Sequence, residues 1–155
     1  MKTQALKALT MLISIIALAF VTAVASNARS GGNNLKADVP FDFVVGSKTL
    51  AAGEYIIGQI TTDSSDAVLV RRSDGGHNAI RITNAVSAKA PKRKTTLTFV
   101  RYGNTYYLSQ VWIAGSAEGR ELLKSKSERS AERQLAKNSS EGNKPEIVTI
   151  IAEVE

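Results

Sequence analysis

Between residues 38 and 113 short apolar–polar alternations, each closed by a turn signal, recur about every ten residues. Val39, Phe41, Phe43 and Val45 alternate with Asp38, Pro40, Asp42 and Val44, the period of two that marks a strand with one buried face. Pro40 has no N–H to give a ladder, so this strand lies at an edge or begins pairing after the proline. Gly46-Ser47-Lys48 makes the first turn and Ala51-Ala52-Gly53 the next bend. Residues 54–61 form a second strand with Gly58 as a candidate bulge, and Asp63-Ser64-Ser65-Asp66 is a turn. Residues 67–72 form a third strand, closed by Ser73-Asp74-Gly75-Gly76, a strong hairpin signal. Residues 78–86 follow, with Ile80 and Ile82 on one side and Arg81 and Thr83 on the other.

The next two strands, 95–102 and 105–113, are joined by Gly103-Asn104. They hold Tyr102, Tyr106, Tyr107, Phe99 and Trp112, so they are expected at the centre of the sheet, where aromatic rings bring large buried area. Composition then changes. Residues 118–137 are rich in charge and helix formers and lack β-branched side chains, which predicts a surface helix carrying a thin stripe of Leu122, Leu123, Ala131, Leu135 and Ala136. Residues 138–145 have linker composition, and 146–154 the β-branched density of a last strand that pairs back on the sheet, beside the first. The expected fold is mainly β: an antiparallel meander forming a small barrel or sandwich, with one surface α-helix near the C-terminus followed by a final strand. Residues 37–155 make a single domain, preceded by a flexible leader at 26–36.

The segment before that leader reads as an address. Lys2 and Lys7 precede an almost uninterrupted apolar run over residues 8–25, which ends in Ala23-Val24-Ala25, with a second small-x-small site at Ser26-Asn27-Ala28. This is the pattern of an export signal, cleaved after Ala25 or alternatively after Ala28. The rival is an uncleaved inner-membrane anchor, since about 18–20 apolar residues span a bilayer. Cleavage after Ala25 leaves 130 residues and, because Lys2 and Lys7 are the only charges removed, lowers the net charge from +6 to +4. That balance, with export to the periplasm or medium, argues against a nucleic-acid partner. The chain has no cysteine, which excludes disulfides and thiolate chemistry and leaves the core alone to hold the fold.

Candidate chemistry is sparse. His77 is the only histidine. It follows a hairpin tip, and no Gly-x-Ser-x-Gly elbow singles out a serine for it to activate. Asp38 and Asp42 share a strand face, and Asp63 and Asp66 share a turn, but acids at turns usually cap backbone, and their spacing misses the calcium-loop pattern. Gly75-Gly76 lacks the helix and Lys-Ser/Thr of a phosphate loop. Neither catalytic residues, nor a metal, nor a cofactor is expected. Two surface groups remain. Tyr102, Tyr106, Tyr107 and Trp112 could line a ligand mouth or simply be core. Lys89, Lys92, Arg93 and Lys94 could meet an anionic surface such as lipid headgroups or acidic polysaccharide, or serve as solubilising charge. Arg71 and Arg72 face opposite sides of their strand, so one is expected to tuck near an Asp or Glu as an internal ion pair.

Several segments carry a resemblance: Val39-Pro40-Phe41-Asp42-Phe43-Val44-Val45-Gly46, then Leu50-Ala51-Ala52-Gly53-Glu54-Tyr55, then residues 101–112 (RYGNTYYLSQVW), and Gly119-Arg120-Glu121-Leu122 with Ser125-Lys126-x-Glu128-Arg129. Over most of residues 37–137 the chain resembles a family of small exported bacterial proteins to which no activity is assigned. The family's members tend to have proline where this chain has Ala51 and Leu123, which leaves the bend and the helix start less rigid here. The resemblance implies export and a β-rich domain, and implies no site residues. The function expected is that of an exported, non-enzymatic binding or structural domain of the cell envelope, meeting a small apolar ligand or an envelope component. It would touch a membrane only through an uncleaved N-terminal segment. The alternatives are the same domain anchored at the inner membrane, and a hydrolase using a serine or the aspartates.

Overall fold

A computed structural model describes residues 34–61, 64–138 and 144–155. Residues 1–25, read above as an export signal, most of the leader and most of the 138–145 linker lie outside the described residues.

Pro40 splits the first alternating run into β1 (Leu35–Val39) and β2 (Phe43–Val45). Deprived of the proline N–H, the ladder between β1 and its neighbour stops at Val39, and the chain crosses to the other sheet. Lys48, expected in the first turn, and the two residues between that turn and the next bend instead form β3 (Lys48–Leu50), a hairpin partner of β2. Then come β4 (Gly53–Thr61), β5 (Ser64–Arg72), β6 (Asn78–Ser87), β7 (Thr96–Tyr102), β8 (Thr105–Trp112) and β9 (Glu118–Leu122). The helix α1 (Lys126–Asn138), β10 (Glu146–Ile151) and β11 (Glu153–Val154) complete the order.

One sheet runs β11–β1–β4–β5–β6 and the other β10–β7–β8–β9–β6, with the β2–β3 hairpin joined to β8. The β2–β8 ladder is parallel, and the other ladders among the described residues are antiparallel. Two segments belong to both sheets. The first half of β6 pairs with β5 and its second half with β9. The last stretch pairs first with β7 as β10 and then, after Ala152, with β1 as β11. Corner strands of this kind let two twisted sheets share a core, so the expected β meander takes a sandwich-like form. The final segment does return to β1, as expected, but only through its last two residues.

Two local expectations change. Residues 118–125 are not helical, because residues 118–122 pair with both β6 and β8. Their packing explains it: Gly119 lies against the Trp112 ring, where an added Cβ would stand 2.6 Å from the indole, while Leu122 points into the core. The helix starts where a capping box permits. Ser125 Oγ accepts the Glu128 N–H at 3.1 Å, and the Glu128 carboxylate reaches back to the Ser125 backbone. The other change is at Gly58, which stays in register. The irregularity falls between Gln59 and Thr61, and what Gly58 provides is room for the Asn34 side chain.

The interior is filled by Leu35, Val39, Phe43, Val45, Leu50, Tyr55, Ile57, Val70, Leu97 and Phe99, each at most 2% exposed. Rings interlock there: Phe43 meets Tyr55 and Phe99 edge-on at 5.0 and 5.3 Å. The buried Tyr55 hydroxyl donates to the Ala51 carbonyl at 2.7 Å, so its polar end is satisfied. On the far face of the first sheet, Ile80 and Ile82 are more than half exposed.

Candidate functional site

The placement of the aromatic group follows from one extra residue. Thr98 pairs with Gln110 and Phe99 with Leu108, so Ser109 is a bulge in β8. Strict alternation would put Trp112 on the same face as Leu108. With the bulge, Val111 takes the inward place opposite Leu97, and Gln110 and Trp112 turn outward. Tyr106, ahead of the bulge, shares the inward face and stacks on Phe41 at 4.0 Å. Tyr102 and Tyr107 point outward and meet edge-to-face at 5.8 Å. The four aromatic residues singled out from the sequence therefore do not form one cluster.

Each outward ring has its own cover. Trp112 lies over Gly119, its Nε1–H donates to Gln110 Oε1 at 3.0 Å, and the Lys92 ammonium sits 4.6 Å from its ring centre. That position of Lys92 is fixed by its backbone, whose N–H donates to Ser116 and whose carbonyl accepts from Gly115. Lys92 is thus drawn out of the basic group, and Lys89, Arg93 and Lys94 remain as exposed loop charges.

Tyr102 and Tyr107 are covered by α1. Between the helix and the β7–β8 turn runs a groove of about 460 Å³, lined by the two tyrosines, Thr105, Ser127, Ser130 and Gln134, with Ala131 and Leu135 closing its wall. The spacing 127, 130, 131, 134, 135 places these helix residues on one face. The lining holds hydroxyls, an amide and phenol edges, and no carboxylate or ammonium. Burial pushes the Tyr102 phenol above its ordinary value. Beside it, Lys124 is bound to Glu132 at 2.7 Å, and that bond raises the Lys124 ammonium above its usual value.

A second concavity of about 530 Å³ opens at the start of the same helix, lined by Gly46, Ser47, Arg81, Ser125, Lys126, Ser127 and Arg129. Ser127 belongs to both.

The remaining sequence candidates are scattered. His77 is exposed beside the β5–β6 turn. Asp42 Oδ1 accepts the Ala52 N–H at 2.9 Å, a backbone cap, and Asp38 is exposed. Asp66 is exposed in β5 rather than in a turn, and Asp63 lies outside the described residues. Arg72 pairs with Asp74 at 2.9 Å, but at the surface rather than as the expected internal pair, since the Asp74 side chain is 63% exposed; Arg71 faces outward. Among the described residues, no group of three or more His, Asp or Glu side chains could hold a metal ion, and no helix is long and apolar enough to cross a membrane.

The sequence reading missed Ser127, Ser130, Gln134, Arg81 and Arg129. The signal that could have found the helix residues is Ser125-x-x-Glu128, a capping box that fixes the helix start and with it the face that meets the tyrosines. No protein family, curated protein or solved structure matches the chain significantly.

Proposed function

We propose that this chain is an exported, non-enzymatic binding domain of the cell envelope that takes a polar ligand in the groove beneath α1. The observation that carries the reading is the contrast between a filled interior and this open groove. A small apolar ligand beneath Tyr106 and Trp112 would need space that Phe41, Lys92 and Gly119 occupy. The groove offers two buried aromatic residues together with groups that donate and accept hydrogen bonds, which suits a neutral hydroxylated molecule. Binding is favoured over hydrolysis because His77 and the aspartates stand apart, and a triad needs base, nucleophile and orienting acid within hydrogen-bond reach. Export rests on residues 1–25 and on the resemblance to small exported bacterial proteins.

Two measurements test this. N-terminal sequencing of the protein recovered from the envelope or medium should begin at Ser26 or Arg29; an intact Met1 would favour the anchored form instead. Titration with neutral oligosaccharides, followed by NMR, should shift the resonances of Tyr102, Tyr107, Ser130 and Gln134. Shifts confined to the Lys89–Lys94 loop would remove the groove from consideration.

A further inference from the structure

The two concavities meet at Ser127 yet differ in character. The groove over the tyrosines is uncharged, whereas the pocket at the helix start gathers Arg81, Lys126 and Arg129 with three serine hydroxyls and no acid in its lining. Two of the cations are held in place by backbone carbonyls rather than by carboxylates. Arg81 Nε donates to Leu123 O at 2.6 Å and Arg129 NH1 to Lys124 O at 3.1 Å. Each bond uses one donor of a five-donor fork. The four ion pairs among the described residues involve Lys36, Arg72, Arg101 and Lys124, so none neutralises this pocket. Glu128 is close enough to Arg81 to interact with it electrostatically. It is buried and turned back to the Ser125 backbone as part of the capping box, and the same burial raises its pKa. The N–H groups of Lys126 and Ser127, which open the helix, have no intrahelical acceptor and add to the positive end.

We propose that these adjoining compartments form one site for an acidic saccharide, its hydroxylated ring in the tyrosine-floored groove and its anionic group held by Arg81, Lys126 and Arg129. This rests on the groove reading above and adds the charge of the ligand. Guanidinium pairs with carboxylate, phosphate or sulfate through parallel hydrogen bonds, so any of the three can supply the anion. A lipid chain finds no apolar cavity here. A nucleobase would need an open aromatic face, and Tyr102 and Tyr107 are each only 6% exposed.

Calorimetric titration of the full chain tests the proposal with a uronate oligosaccharide, a sulfated one, a sugar phosphate, a neutral oligosaccharide of equal length, and inorganic phosphate. At least one acidic saccharide should bind about tenfold tighter than the neutral one, since hydrogen bonds to charged groups are stronger than neutral ones. Which of them binds identifies the anion. Arg129→Gln and Lys126→Gln, both on the exposed helix surface, should each remove most of that advantage, and added salt should do the same. Gln134→Ala should weaken acidic and neutral saccharides alike. Neutral and acidic saccharides binding equally, with no response to Arg129→Gln, would overturn the anionic site and leave the groove standing. Inorganic phosphate binding as tightly as any saccharide would overturn the joint site. Silence from every saccharide would overturn both readings.

Discussion

The β7–β8 hairpin carries aromatic residues on both faces, and the two faces use them differently. Inward, Phe99 and Tyr106 join Phe41 and Phe43 in a continuous packing of rings. Outward, Tyr102, Tyr107 and Trp112 are as well hidden, at 6% exposure each, but by single covers: a helix over the tyrosines, a lysine and a glycine strand beside the indole. Burial alone therefore does not separate core from site. What separates them is how many elements enclose the ring and whether open space adjoins it. A ring enclosed by two sheets can only hold the fold together, whereas one roofed by a single amphipathic helix leaves a seam where a ligand can enter.

The sharpest way to break this contrast is Phe99→Ala. Fully buried among other rings, it should lower unfolding stability by about 3–5 kcal/mol in denaturant titration. A loss below that of the outward substitutions would mean that the inner face is not the dominant core. On the outer face, Gly119→Ala should cost about 1–3 kcal/mol, because the new methyl must displace the Trp112 ring. A red shift of tryptophan emission should accompany it; an unchanged spectrum would show that the indole is not held against β9. Loss of the helix cap in Ser125→Ala should cost about 1 kcal/mol. In that variant the resonances of Tyr102 and Tyr107 should move while those of Tyr106 stay in place.

Most of the strand plan was legible in the sequence because alternation and turn residues are local signals. Residues 95–113 announced the hairpin, and the β-branched run after 146 announced the returning strand. The errors have physical causes. Residues 118–122 have helical composition, yet the small Gly119 opposite Trp112 and the inward Leu122 make them a strand, a tertiary effect that propensity does not register. The Ser109 bulge inverts the faces of everything after it, and no turn residue marks it. The bulge moves Trp112 off the face of Tyr106, while simple alternation already sets Tyr106 apart from Tyr107, so the four aromatic residues fall into three groups rather than one. The cationic pocket was invisible for another reason: Gly46, Arg81 and Arg129 are far apart in the chain and meet only through the crossing of β6 and the start of α1.

Glu128 offers a finer test of how closed the helix–sheet seam is. Burial raises its pKa, so in the folded chain it keeps its proton where an unfolded glutamate has already lost it. The folded state then binds more protons than the unfolded one. Stability contributed by this group therefore falls as pH rises from the ordinary glutamate value through the raised one. Glu128→Gln keeps the capping geometry and should flatten that part of the profile of melting temperature against pH. A profile identical to the parent's would mean that water reaches Glu128 and that the helix start is looser than its cap implies.

The smallest effect is expected on the far face of the first sheet. Ile80 is 57% exposed, and its cross-strand neighbour is the half-buried Leu69. Ile80→Thr keeps β-branching and strand propensity and removes only solvent-facing apolar surface, so stability should change by no more than about 0.5 kcal/mol. The comparison with Phe99→Ala then isolates enclosure from hydrophobicity, since both side chains are large, apolar and placed in strands. If Ile80→Thr instead destabilised the protein strongly, and did so more at high protein concentration, this face would be covered in solution by a second copy. The distinction between enclosed and open faces would then have to be drawn on the assembly rather than on the single chain.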